Sequence, residues 1–101
     1  FARTLSDMYV DAKGQLFVSS CTAPGQPYPS RSLIFVAGHL KVDLKQPFRA
    51  EQEPSVWWID GCKIEGIAPS HRPGCGPAFV TDDDDWGGIW RVVPINPSLT
   101  Y

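Results

Sequence analysis

Apolar and polar residues alternate along several stretches of this chain with a period of two, the repeat of a strand that buries one face. In His39-Leu40-Lys41-Val42-Asp43-Leu44-Lys45 the alternation sets Leu40, Val42 and Leu44 on an apolar face and His39, Lys41, Asp43 and Lys45 on a wet one. Leu33-Ile34-Phe35-Val36, just upstream, is apolar on both faces and predicts entry into a core, with Gly38 as a bulge or bend between the halves. Met8-Tyr9-Val10 and Gln15-Leu16-Phe17-Val18 flank Asp11-Ala12-Lys13-Gly14 and predict a hairpin. A second hairpin is expected across the aspartate run, from Ala78-Phe79-Val80-Thr81 to Ile89-Trp90-Arg91-Val92-Val93.

The strongest local signal is Asp60-Gly61 between Val56-Trp57-Trp58-Ile59 and Cys62-Lys63-Ile64-Glu65, the chemistry of a two-residue type I′ turn. That register sets Ile59 opposite Cys62, Trp58 opposite Lys63 and Trp57 opposite Ile64. Trp57, Ile59, Cys62 and Ile64 then share the apolar face, while the Lys63 ammonium lies over the Trp58 indole.

Ten scattered prolines and nine glycines leave few helix signals. A helical turn over residues 5–11 with Ser6 as its N-cap is the one exception. Residues 22–30 are a Pro-rich, partly polyproline-like loop, and residues 94–101 an extended C-terminal arm. The expected architecture is all-β, a small barrel or sandwich of about six or seven short antiparallel strands with Pro/Gly-rich loops, in a single domain over residues 1–101.

Composition then narrows function. Of 101 residues 43% are hydrophobic, which supports a packed core, and the longest apolar run, residues 33–37, is too short to span a bilayer. A net charge of −2 argues against a nucleic-acid binder that works by phosphate neutralisation. A stacking platform of Trp58 with Lys41, Lys45, Arg49 and Lys63 would suit single strands on an OB-like barrel, but the acidic balance opposes it. With no Met at its start the sequence reads as a mature product or the ordered part of a longer chain, and an extracytoplasmic or virion-associated setting is the expectation.

Cys21, Cys62 and Cys75 are an odd set. Cys62 and Cys75, separated by turn-forming residues, are the expected disulfide, worth about 3 kcal/mol by loop closure. Three reduced thiols are the alternative, and a tetrahedral zinc set with His71 is a weaker one, since no Cys-x₂-Cys knuckle is present. Asp82, Asp83, Asp84 and Asp85 are four adjacent carboxylates that would be screened by water or would hold Ca²⁺, though without the spacing of an EF-hand. Trp86 or Trp90 beside them would give a carbohydrate a stacking surface.

No phosphate loop, dinucleotide fingerprint, zincin motif or catalytic triad signature is present. The leading expectation is therefore a non-enzymatic interaction or structural module, a subunit of a larger assembly. Its contacts with a protein partner or a second copy would be Trp58, Lys63, Tyr28 and Tyr101. The alternatives are a calcium or carbohydrate module at residues 82–85 and, last, a small secreted enzyme or toxin pairing His71 with Asp60 or an acid of the aspartate run.

Overall fold

In the computed structural model the described residues are 3–22, 31–41, 45, 47–82 and 87–97. They form eight strands in two antiparallel sheets, with no helix among them: β1 (Arg3–Val10), β2 (Gln15–Thr22), β3 (Arg31–Leu40), β4 (Phe48–Ala50), β5 (Val56–Asp60), β6 (Ile64–Ala68), β7 (Cys75–Thr81) and β8 (Trp90–Pro94). The first sheet runs β1-β2-β3, with β4 and β5 paired to opposite ends of β3; the second runs β6-β7-β8. The all-β expectation holds. The strand beyond the six or seven expected is β4, three residues without alternation to betray it.

The core lies between the sheets. Phe17, Ile34, Val36, Trp57 and Ile59 from the first meet Ile64, Ile67, Phe79 and Val93 from the second. Three polar ties cross the same space. The Trp57 Nε1–H donates to the Pro94 carbonyl (2.7 Å). Asp7 Oδ2 accepts from the Ile67 N–H (2.9 Å), so a carboxylate of β1 satisfies a donor on the edge strand of the other sheet. The fully buried Ser32 hydroxyl donates to the Cys62 carbonyl (2.8 Å) and accepts from the Ile64 N–H (3.1 Å).

Both outer hairpins form as the pattern predicts, β1 with β2 and β7 with β8. The first turn is built on Asp11, whose Oδ1 accepts the N–H groups of Lys13 and Gln15, both at 2.9 Å. Gly14 completes it at φ +85°, where a Cβ would sit 2.6 Å from the Leu40 carbonyl oxygen. Its own carbonyl accepts from the Leu40 N–H at 2.8 Å.

Four expectations are corrected. The Asp60-Gly61 hairpin does not form: β5 pairs β3, and β6 pairs β7. Gly61 does turn the chain, at φ +81°, but Ser32 holds both the Cys62 carbonyl and the Ile64 N–H, so the chain crosses between sheets instead of doubling back. Val56 to Ile59 also finds a better partner in β3, apolar on both faces, than in the polar Lys63 and Glu65. Trp57, Ile59, Cys62 and Ile64 nevertheless meet at the core, with Cys62 partly buried against it.

The Cys62–Cys75 disulfide is absent, and all three cysteines are thiols. The register explains why. Lys63 bonds to Asp82 at one end of β7, whereas Cys75 opens the other end, six residues or about 20 Å along the strand from Thr81; a bridge needs Cα atoms within about 7 Å.

Residues 5–10 are strand, not helical turn. Ser6 occupies a bulge in β1 and its hydroxyl meets that of Ser19 at 2.7 Å. The expected bulge near Gly38 is present, but it inverts the faces beyond it. With Leu16 opposite Gly38 and Phe17 opposite Val36, Ala37 is the extra residue, so Leu40 turns outward and is exposed while His39 is half-buried. Val42 and Leu44 lie outside the described residues.

Candidate interaction face

Register places two rows, apolar except for Ser20, on the outer face of the first sheet. Leu5 pairs Ser20, Ser20 pairs Leu33, and Leu33 pairs Trp58; beside that row Met8 pairs Val18, Val18 pairs Phe35, and Phe35 pairs Val56. Directly opposed residues of antiparallel strands point the same way, so each row runs across four strands on one face. On β2 both Val18 and Ser20 are buried, while Leu5 is 66% exposed, Met8 54% and Trp58 37%. Val10, opposite Leu16 in the next row, is exposed too. The origin is visible in β3, where Leu33 and Phe35 face out and Ile34 and Val36 face in.

The polar margin of this face is a cluster at the β3–β5 end. Arg31 Nε meets Asp60 Oδ1 at 2.8 Å, and the guanidinium lies 4.1 Å from the centroid of the Trp58 ring. Both charged side chains are more than half exposed, so the ion pair orients the indole more than it stabilises the fold. Lys63, expected over Trp58, instead faces Glu65 at 3.7 Å; with the hairpin unformed, Arg31 takes the cation's place over the ring. Neither Arg31 nor the β1 residues stood out in the sequence, although the two-sided apolar run at residues 33–36 carried the signal for an outer apolar row.

The other candidate residues do not gather. Tyr28, Tyr101, Asp83, Asp84, Asp85 and Trp86 lie outside the described residues. Asp82 is exposed and its N–H donates to the Lys63 carbonyl at 3.0 Å. Among the described residues no three His, Cys, Asp or Glu side chains approach closely enough to hold a metal, so the zinc set of Cys21, Cys62, His71 and Cys75 is not assembled. Asp60, the acid offered to His71, is bonded to Arg31. The nucleic-acid platform is also dispersed, because Arg49 pairs His39 while Trp58 pairs Leu33, about 20 Å apart along β3. Trp90 is exposed opposite Val80 on the second sheet.

These features define a two-sheet all-β domain with an apolar outer face on its larger sheet. No protein-family model, curated protein or solved structure matches the chain.

Proposed function

We propose that this protein is a non-enzymatic interaction module that docks a protein partner, a second copy of the chain among the candidates, on the outer face of its first sheet. The observation that carries the reading is the pair of rows Leu5-Ser20-Leu33-Trp58 and Met8-Val18-Phe35-Val56, largely apolar, with Leu5, Met8 and Trp58 exposed at their ends. Exposed apolar side chains bordered by a charged margin mark protein contact surfaces. Trp58, about a third exposed and held beneath Arg31, has the character of an anchor: its ring is already ordered before binding, so little side-chain entropy remains to be lost.

The test places a photo-crosslinking phenylalanine analogue at position 58, and separately at Arg91 on the second sheet, in the full chain mixed with wild-type protein and with an extract of its source. A discrete protein adduct from position 58 and none from position 91 is the expected result. Equal labelling from the two positions, or none from either, overturns the reading. Sedimentation of the wild type and of Trp58→Ala at matched concentrations tells a second copy from another partner, since only self-association shifts the wild-type mass.

A further inference from the structure

On the opposite side of the same sheet, the two layers part at the β1–β2 turn and leave a cleft of about 360 Å³. Its floor is aromatic. Tyr9 stacks on Phe17 with centroids 4.8 Å apart and planes 8° from parallel, and Phe17 leans on Trp57 at 6.2 Å. Cys75 and Ser70 line the wall contributed by the other sheet and its approach loop, and Asp11 and Lys13 stand at the rim. The volume is at the lower end of small-molecule sites, which suits a ligand of amino-acid size.

The rim decides the ligand's charge. Asp11 spends Oδ1 on the N–H groups of Lys13 and Gln15, which fixes its carboxylate in the turn and fixes the Lys13 backbone beside it. Neither side chain enters a salt bridge among the described residues. A simple anion drawn to Lys13 would meet Asp11, and a simple cation drawn to Asp11 would meet Lys13. A molecule with one charge of each sign satisfies both, and an aromatic body matches the ring-lined floor. The Tyr9 phenol supplies a neutral donor beside them. Burial, and after it the Asp11 carboxylate, raises its pKa, so it keeps its proton throughout the physiological range.

We propose that this cleft binds a small zwitterion with an aromatic body, of the free aromatic amino acid class, with its carboxylate on Lys13 and its ammonium on Asp11. The site is independent of the outer face: Trp57 borders the cleft and Trp58, one residue on, belongs to the other surface.

The experiment is an amide-resolved NMR titration of the full chain with L-phenylalanine, 3-phenylpropionate and 2-phenylethylamine, each up to about 10 mM so that a millimolar Kd is read directly. Saturable shifts confined to Tyr9, Gly14, Cys75, Gly76 and their neighbours are expected. L-phenylalanine should bind about tenfold tighter than either singly charged probe, the effect of about one charge-assisted contact. Lys13→Gln should remove its advantage over 2-phenylethylamine. Asp11→Asn, which keeps the Oδ1 acceptor of the turn, should remove its advantage over 3-phenylpropionate. Equal affinity for the three probes, shifts outside the cleft, or no saturation by L-phenylalanine overturns the proposal. An unchanged spectrum of the second sheet in both variants separates lost binding from lost folding.

Discussion

Removing one oxygen atom tests how the two sheets are joined. Ser32→Ala deletes the hydroxyl that holds both the Cys62 carbonyl and the Ile64 N–H, and both Ser32 and Ile64 are completely buried. The void left behind is smaller than the roughly 30 Å³ share of a water molecule, so solvent does not replace the lost partner. Each backbone group that loses the hydroxyl costs about 1–3 kcal/mol, which gives about 2–6 kcal/mol for the pair. That is a large part of the 5–15 kcal/mol typical of a domain. With a urea slope of about 1–3 kcal/mol per M, a loss of about 3 kcal/mol lowers the unfolding midpoint by at least about 1 M. The assay is equilibrium urea unfolding followed by both tryptophan fluorescence and far-UV circular dichroism. Ser70→Ala is the control, because that hydroxyl accepts only the exposed Arg72 N–H and its loss should stay within about 0.5 kcal/mol. Equal midpoints for the two variants, at unchanged slope, would refute the argument that Ser32 fastens the crossing from β5 to β6.

Three further outcomes follow from the same geometry. Trp57→Phe strips the Pro94 carbonyl of its donor and leaves part of a buried indole's space unfilled, so it should destabilise by about 2–4 kcal/mol in the same urea assay. Gly14→Ala demands a left-handed backbone from alanine and drives its Cβ against the Leu40 carbonyl; a cost of about 2 kcal/mol or more should lower Tm by roughly 8 °C or more in a calorimetric scan. The Tyr9 phenol should titrate above its ordinary value near 10.0, as read by phenolate absorbance. Its sign is that of an acid whose folded pKa is raised: the folded state keeps a proton that the unfolded state releases, so its stabilising effect is complete below pH 10 and is lost as pH climbs toward the folded pKa. The slope cannot exceed about 1.4 kcal/mol per pH unit, the limit for one proton, and the ring's partial exposure narrows the pH window over which it acts; a flat pH dependence above 10 in Tyr9-containing protein and in Tyr9→Phe alike would contradict it.

Local pattern was enough for elements whose partners are near in sequence. The β1–β2 and β7–β8 hairpins are encoded in alternation flanking turn-forming residues, and the burial of Trp57, Ile59 and Ile64 follows from their spacing. What alternation does not encode is which strand lies alongside. Asp60-Gly61 specifies a reversal, and the chain does turn there, but its two arms separate into different sheets because β3 offers β5 a two-sided apolar neighbour and Ser32 offers the crossing a buried hydroxyl. Both determinants lie about 30 residues upstream, beyond the reach of a local reading. The same reasoning covers the cysteines: a turn-rich interval permits a return, whereas the β6–β7 register sends Cys62 and Cys75 to opposite ends of a strand. Bulges set a further limit. Gly38 marks its bulge, yet only the pairing of Leu16 with Gly38 and Phe17 with Val36 shows that the faces exchange there and that Leu40 points outward. In β1 the bulge at Ser6 carries no glycine at all. As for the candidate face, Trp58 was legible as an exposed ring, but Arg31, Leu5 and Met8 join it only through pairings that cross four strands.

The first sheet carries two apolar surfaces for different physical reasons, and neighbouring residues divide between them. Trp57 is 4% exposed, bonded across to Pro94 and packed with Phe17, so its free energy enters the folding equilibrium of the isolated chain. Trp58 keeps 37% of its surface in water in the folded chain, and that remaining apolar area is buried only when something covers the outer face. The same holds for Leu5 and Met8, which a stability requirement alone would leave open to polar replacement on a solvated sheet face. Their apolar character, in two aligned rows, therefore opposes solubility without adding comparably to the fold. Substitution at 57 should then move the urea midpoint, and substitution at 58 the association read by sedimentation. If Trp58→Ala instead lowered stability as far as Trp57→Phe, the outer rows would belong to the fold's own energetics and the division between the two faces would fail.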